Sequence, residues 1–346
     1  MNLKSSQRVT IVHVAQAAGV SVTTVSHALN GRGQVDRRTR ERVEQVALQL
    51  GYRPNRHAQR LRTGEAHMIA LVSSMPFAVA GGPSRLGFLM EIAAVAASAA
   101  LSRGMALVLV PPAESGATPL DALDVDAALV VEPVAKDPTV EHFLRQGLPV
   151  VTIGRQAKTR APIPYVDLRS ADTAALMLEH LAAQRCRRVA LLIGAEERNS
   201  YIEAERVYRQ FVARHHMPTL IAHEHEAAGE DGGRVAMLKL LQQDASIDGV
   251  CVPVDAFAVG AVRALLESGR RLPQDAAIIT RYDGLRARMC EPPLSAVNLH
   301  LEQIAQRAVE LLLDHLQKRT GDRSRAGPDP VLVPRASTQR LSRDRD

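Results

Sequence analysis

The sequence predicts a small all-α head joined by a short polar segment to a two-lobed α/β body with parallel sheets and helices on both faces. Three observations carry this. Apolar residues recur at helical spacing between residues 10 and 50, and from residue 68 onward they form short runs alternating with amphipathic stretches. Strand–helix alternation implies parallel sheets covered on both faces. A run of about 270 residues exceeds what one doubly wound sheet usually needs, so two lobes are expected. Finally, Lys and Arg crowd the first 62 residues, eleven against three acids, a local charge of +8 in a chain whose net charge is only +6.

In the head, Ile11, Val14, Ala15 and Ala18 form one apolar stripe, and Gly19 is a stop signal. Ser21 is placed to cap a second short helix with Val25, Ala28 and Leu29 inward and Val22, Thr23, Thr24, Ser26 and His27 outward. Asp36 is placed to cap a third, with Val43, Val46, Ala47 and Leu50 inward and Gly51 at its end. Two short helices about a glycine-containing turn form the helix-turn-helix pattern. Small hydroxyl and amide side chains on the second helix can approach base edges and phosphates without bulk. A helical hairpin from an ordinary core has the same pattern; the basic excess favours nucleic acid, since neutralising phosphates releases counterions. Residues 52–64 read as a linker with helical potential, Pro54 suiting its start and Gly64 its end. Leu61 between Arg60 and Arg62 suits a wedge between base steps in a minor groove, whereas a plain linker has no use for it.

In the body, strands are expected at 68–72, 105–110, 127–131, 150–153, 189–193, 249–252, 277–279 and 331–333, a crossover between lobes near 159–164, and an amphipathic helix from Leu301 to Leu316. Residues 321–330 read as a polar linker and those after Arg335 as a basic tail. The run His223, Glu224, His225 and Glu226 has the donors of a metal cluster but reads as a solvated loop.

Several function classes are excluded or disfavoured. Mean hydropathy is −0.07 and no long uncharged apolar run occurs, which argues against a membrane span. The polar start without an apolar h-region predicts a cytoplasmic protein rather than an exported solute-binding protein. Cys186, Cys251 and Cys290 have no C-x-x-C spacing, which argues against a disulfide framework or a cysteine zinc site. No P-loop, G-x-G-x-x-G, G-x-S-x-G or H-E-x-x-H occurs, so no enzyme is expected, and no catalytic residue, cofactor or metal. A sequence-independent architectural DNA binder remains the rival to a specific one; competition with bulk DNA separates the two.

Residues 9–30, then Gly51, Tyr52, Arg53, Pro54 and Asn55, then Leu61, Arg62, Thr63 and Gly64, resemble the lactose-repressor (LacI/GalR) family of bacterial transcription factors. Looser agreement extends through Phe88, His180, Leu181, Asp255, Tyr282, Asp283, Pro293, Leu294 and Ser295. The resemblance implies a headpiece at 1–53, a hinge helix at 54–64, and an effector-binding and dimerisation domain at 65–346 like a periplasmic sugar-binding protein. Its first lobe is expected at about 65–161 and 297–320, its second at about 162–296 and 328–346. It further implies a repressor that binds a near-palindromic double-stranded operator as a homodimer, with affinity set by a small molecule held between the lobes.

By position, the resemblance places Thr10 on phosphate, Val22, Thr23, Ser26 and His27 in the major groove, Thr24 and Asn30 on the backbone, Asn55 and Ala58 in the hinge, and Leu61 at the operator centre. Where the family usually has Arg this chain has His27, which cannot make a bidentate pair with guanine, so a different half-site base is expected there. His13 likewise stands where an Asp is customary. Effector candidates are Ser74, Arg85, Phe88, Glu132 and Arg155 from the first lobe and Asn199, Tyr201, Phe257 and Asp283 from the second. Two anchors of sugar-binding relatives are missing, Ala204 and Val254 standing in their places, so the ligand stays open between a modified sugar, a nucleoside, an amino acid or another small molecule, acting as inducer or corepressor. The last residues contain one leucine, Leu341, rather than a heptad, so a dimer is expected rather than a tetramer.

Overall fold

The computed structural model describes residues 9–29, 33–52, 65–80, 87–111, 120–159, 163–319 and 321–339. The chain divides into two compact units, Met1–Ala66 and His67–Asp346.

The first unit contains α1 (Ile11–Ala18), α2 (Val22–Leu29) and α3 (Arg37–Gln49). Val14, Ala15, Ala18, Val25, Ala28, Val43 and Ala47 form its core. Each start is fixed locally. Thr10 precedes α1, and its N–H donates to Nδ1 of His13 at 3.1 Å. Ser21 Oγ accepts from the Thr24 N–H at 3.0 Å, and Asp36 accepts from the Thr39 N–H at 3.0 Å. These bonds satisfy donors that the first helical turn leaves unpaired. Gly19 ends α1 at φ +64°, a left-handed conformation that glycine adopts without a Cβ clash. Leu50, expected inward, lies beyond the last turn of α3 and is 38% exposed.

The second unit has two sheets. In chain order its elements begin with β1 (Met68–Ser73), α4 (Phe77–Ala80), α5 (Phe88–Leu101), β2 (Ala106–Val110), β3 (Ala127–Val131), α6 (Pro138–Arg145), β4 (Val150–Ile153) and β5 (Tyr165–Val166). Then follow α7 (Ser170–Ala183), β6 (Val189–Gly194), α8 (Asn199–Arg214), β7 (Ile221–Glu224), α9 (Gly229–Gln243), β8 (Gly249–Val252), α10 (Asp255–Glu267), β9 (Ala277–Thr280) and α11 (Leu285–Met289). The chain ends with β10 (Ala296–Asn298), α12 (Leu301–Leu316), β11 (Ser324–Arg325) and β12 (Val331–Val333).

The first lobe is a six-stranded parallel sheet in the order β11-β5-β4-β3-β1-β2, and the second a four-stranded parallel sheet in the order β7-β6-β8-β9. β10 and β12 form an antiparallel pair. β3, β4, β6, β8 and β9 are fully buried and almost wholly apolar, broken only by Thr152 and Thr280, which is what made them readable. α12 returns to pack on α5, β3 and β4 of the first lobe.

Two boundaries differ from expectation. Tyr165 and Val166 pair with Thr152 and Ile153, so the first sheet keeps the chain past the crossover expected at 159–164. Ser324 and Arg325, inside the expected linker, pair with Tyr165 and Val166. Two-residue strands are too short to show a period.

Candidate nucleic-acid interface and candidate effector cleft

In the first unit, burying Val25 and Ala28 fixes which face of α2 is outward. Val22 is 42% exposed, Thr23 is exposed, and Thr24, Ser26 and His27 are half-buried. Thr10 is exposed at the start of α1. The face thus offers a methyl-bearing side chain, hydroxyls and an imidazole, with the partial positive charge of a helix N-terminus beside them. His27 packs beside Gly33: a Cβ added to Gly33, itself at φ +71°, would meet the imidazole Nδ1 at 2.6 Å. Glycine at 33 is therefore what leaves room for that ring. His13 does something the sequence reading missed, accepting the cap bond at the start of α1; the Thr-to-His spacing of three residues was the available signal. Asn30, Asn55, Ala58 and Leu61 lie outside the described residues, as does Arg85 of the effector candidates.

The body's chemistry collects at the carboxyl ends of its strands, where open α/β sheets bind ligands. Ser74 follows β1, Glu132 follows β3, Arg198 precedes α8, Asp255 begins α10, and Arg281 follows β9. Arg198 is 1% exposed and Glu226 0%. The Arg198 Nε donates to Glu226 Oε1 at 2.7 Å and Nη2 to Oε2 at 2.6 Å, a bidentate pair. Nη2 also donates to the carbonyl of Ser74 at 2.8 Å, and Nη1 to the carbonyl of Glu132. The Tyr201 hydroxyl donates to Glu226. Glu132 is 2% exposed; its carboxylate accepts from Arg281 Nη1 at 2.9 Å and from Ser200 Oγ at 2.6 Å. The Arg281 guanidinium lies 5.8 Å from the centroid of Phe88, whose ring meets Tyr282 edge-on at 5.4 Å. Arg286 bonds Asp255 at 3.2 Å and the carbonyl of Ala78 at 2.5 Å.

Burial and pairing tune these groups in opposite senses. Burial pulls the Arg198 guanidinium down, but the hydrogen bonds and charge of Glu226 outweigh it, so the net shift is upward. Burial pushes the Tyr201 phenol well up, and Glu226 adds to this. Burial also raises Asp255 against the pull of Arg286.

The structure brings Phe88, Glu132 and Tyr201 into one constellation, together with the backbone of Ser74. Asn199 is half-buried in the first turn of α8, next to Arg198. Asp283 sits apart, paired with Arg335 at 2.6 Å and Arg288 at 3.1 Å, and lines a 220 Å³ cavity with Glu91, Tyr282 and Asn298. Two candidates are not among these bonded groups. Arg155 is exposed. Phe257 is fully buried core, because Gly233 lets α9 close onto its backbone. Sequence reasoning missed Ser200, Arg281 and Arg198, and read Glu226 as part of a solvated loop. His223 and Glu224, also read as loop, instead end strand β7, paired with Ile193 and Gly194; His223 and His225 lie at the surface, bonded to Glu205 and Glu196. Beside the constellation a 410 Å³ cavity lies at the ends of β1 and β2, lined by Ser73, Ser74, Asp137, Thr139 and His142 among others. Among the described residues no group of three metal-ligating side chains occurs, and no helix is long and apolar enough to cross a membrane.

A helix-turn-helix head on a chain whose body is a two-lobed, strand-end binding fold defines a ligand-responsive transcriptional regulator. Comparison with known proteins agrees. Residues 10–55 match the model of bacterial regulatory proteins of the lacI family, and residues 178–338 match that of the periplasmic binding protein-like domain. The regulator AglR of Rhizobium meliloti (strain 1021) is 33% identical over 80% of this chain and 78% of its own. A solved complex of the regulator CelR with cellobiose superposes with a TM-score of 0.70 at 28% identity, covering 95% of this chain and 100% of that one. The Lac repressor dimer bound to operator and the anti-inducer ONPF gives 0.76 at 25% identity, covering 96% and 99%. The chain belongs to the lacI family of bacterial transcriptional regulators, in which DNA binding is under effector control.

Proposed function

We propose that this regulator is a cytoplasmic, homodimeric repressor and that its effector is a small hydroxyl-bearing molecule bound among Glu132, Arg281, Arg198 and Phe88. The observation that carries this reading is the set of buried charged side chains at strand ends of both lobes, converging beside an aromatic ring. A hydroxyl both donates and accepts, so it can replace either partner of a carboxylate–guanidinium bond without leaving the other unsatisfied. The CelR–cellobiose complex supports a carbohydrate. Val254 and Ala204, both buried, supply no polar anchor, so the ligand leans on the charged groups instead. For dimerisation, the edge strand β2 and the end of α5 present Leu109, 38% exposed, and Leu101, 70% exposed. On the DNA side, Thr10, Val22, Thr23, Thr24, Ser26 and His27 form the described part of the reading surface.

Site selection from random duplexes with the purified full chain tests the reading. A near-palindromic site is expected, bound by the full chain and lost on removal of residues 1–64. Equal binding by the truncated chain overturns it. A thermal-shift screen of small metabolites, repeated with the selected duplex, then identifies the ligand and the sign of its effect.

A further inference from the structure

We propose that Arg198 latches the effector cleft, holding the lobes closed with no small molecule present, so that an effector has to displace this latch to enter. The proposal rests on the cleft reading above for where the effector goes; the latch itself stands on geometry alone.

Arg198 is anchored in its own lobe by the bidentate pair with Glu226 at 2.6 and 2.7 Å. Its remaining reach goes to the other lobe, to the backbone carbonyls of Ser74 and Glu132 at the ends of β1 and β3. That is the bonding pattern of a bound ligand, divided between the two walls of a cleft, but supplied by the chain. Glu132 mirrors it. It belongs to the first lobe, and its carboxylate is held by Ser200 at 2.6 Å and Arg281 at 2.9 Å, both from the second. Its backbone lies at φ +51°, a region uncommon for a non-glycine residue, which lets carbonyl and carboxylate both meet the second lobe. Arg286 adds the carbonyls of Ala78 and Val79 at 2.5 and 3.1 Å.

In a two-lobed binder whose walls meet only through ligand, the empty form is free to open. Here opening breaks each of the bonds that run from one lobe to the other, while the Arg198–Glu226 pair stays whole, and leaves charged groups to be rehydrated. A ligand that needs the open form binds with an apparent affinity reduced by the fraction open, so the latch sets the threshold of the response.

Spin labels at Leu144→Cys on α6 and Val235→Cys on α9 report the lobe separation. Both sites are exposed, at 42% and 41%, and the native cysteines are buried. Pulsed electron resonance on the ligand-free full chain should show one distance population. The paired variant Arg198→Met with Glu226→Leu removes the latch without stranding a buried charge, and should shift or broaden the distribution toward longer separations. Ser200→Ala, which leaves the Arg198 pair intact, should produce a smaller shift in the same direction. If latched and unlatched chains share one distribution, the proposal is overturned. The readout needs neither operator nor effector, so a failure to bind DNA or any metabolite sinks the functional reading and leaves the latch result standing.

Discussion

The outward face of α2 and the cleft of the body are both polar surfaces, but they handle their polar groups in opposite ways. Val22 and Thr23 stand in solvent, with their helix held from behind by Val25 and Ala28. In the cleft, Arg198, Glu226, Glu132 and Arg281 are almost fully buried and bonded to one another. The helix face keeps groups ready for a partner that brings its own charges. The cleft has already satisfied its groups, and a ligand gains there only by exchange. A surface of the first kind is tuned by what it touches, whereas one of the second is tuned by what it must give up.

The sharpest way to break this comparison is Arg198→Ala. Removing one member of a buried pair leaves Glu226 as an uncompensated charge, and a loss of about 3–5 kcal/mol is expected in denaturant unfolding of the body. An effect near zero shows that the pair is solvated and that the two surfaces are alike. Next in size is the double change Thr23→Ala with Ser26→Ala. Binding to a selected operator should weaken by about 1–3 kcal/mol with a smaller loss of thermal stability, read by anisotropy and melting. A stability loss equal to the binding loss places these hydroxyls in the head's own framework.

The smallest effect concerns pH. Burial lowers the pKa of His180, whose imidazole meets the Thr338 hydroxyl at 2.7 Å. The folded body therefore favours the neutral ring. Its contribution is fully present above the ordinary value of 6.5 and is lost as pH falls through the lower folded value. The melting temperature should drop more from about pH 7 to about pH 5 in the wild type than in His180→Gln. Equal slopes remove His180 from the account.

Much of this architecture was legible. The helical period of Val14, Ala15 and Ala18 and the caps Ser21 and Asp36 locate the head. Unbroken apolar runs such as Ala127–Val131 locate the inner strands. β5, β7, β10 and β11 were not legible: β5 and β11 have only two residues, β10 ends on polar Asn298, and β7 ends on His223 and Glu224, which read as loop. In the cleft, Glu132 and Tyr201 could be placed from their positions after strands or within the first turn of a helix. Arg198, Glu226 and Arg281 could not. A charged residue reads as solvated unless its partner is known, and here the partners lie 28 and 149 residues away. Phe257 fails for the opposite reason. An aromatic after a strand looks available until the glycines of the facing helix bring a backbone over it.

The return of α12 and β11 to the first sheet has a bearing on biosynthesis. The first lobe lacks the covering helix Leu301–Leu316 until nearly all of the polypeptide has left the ribosome, and the second waits for Ser337, whose hydroxyl donates to the carbonyl of Ile278 at 2.6 Å. The head, built from neighbouring segments, has every contact it needs within its first few dozen residues. Translation thus delivers a folded reader ahead of its controller. A message cut short before Leu301 yields a head joined to a body that cannot close its core.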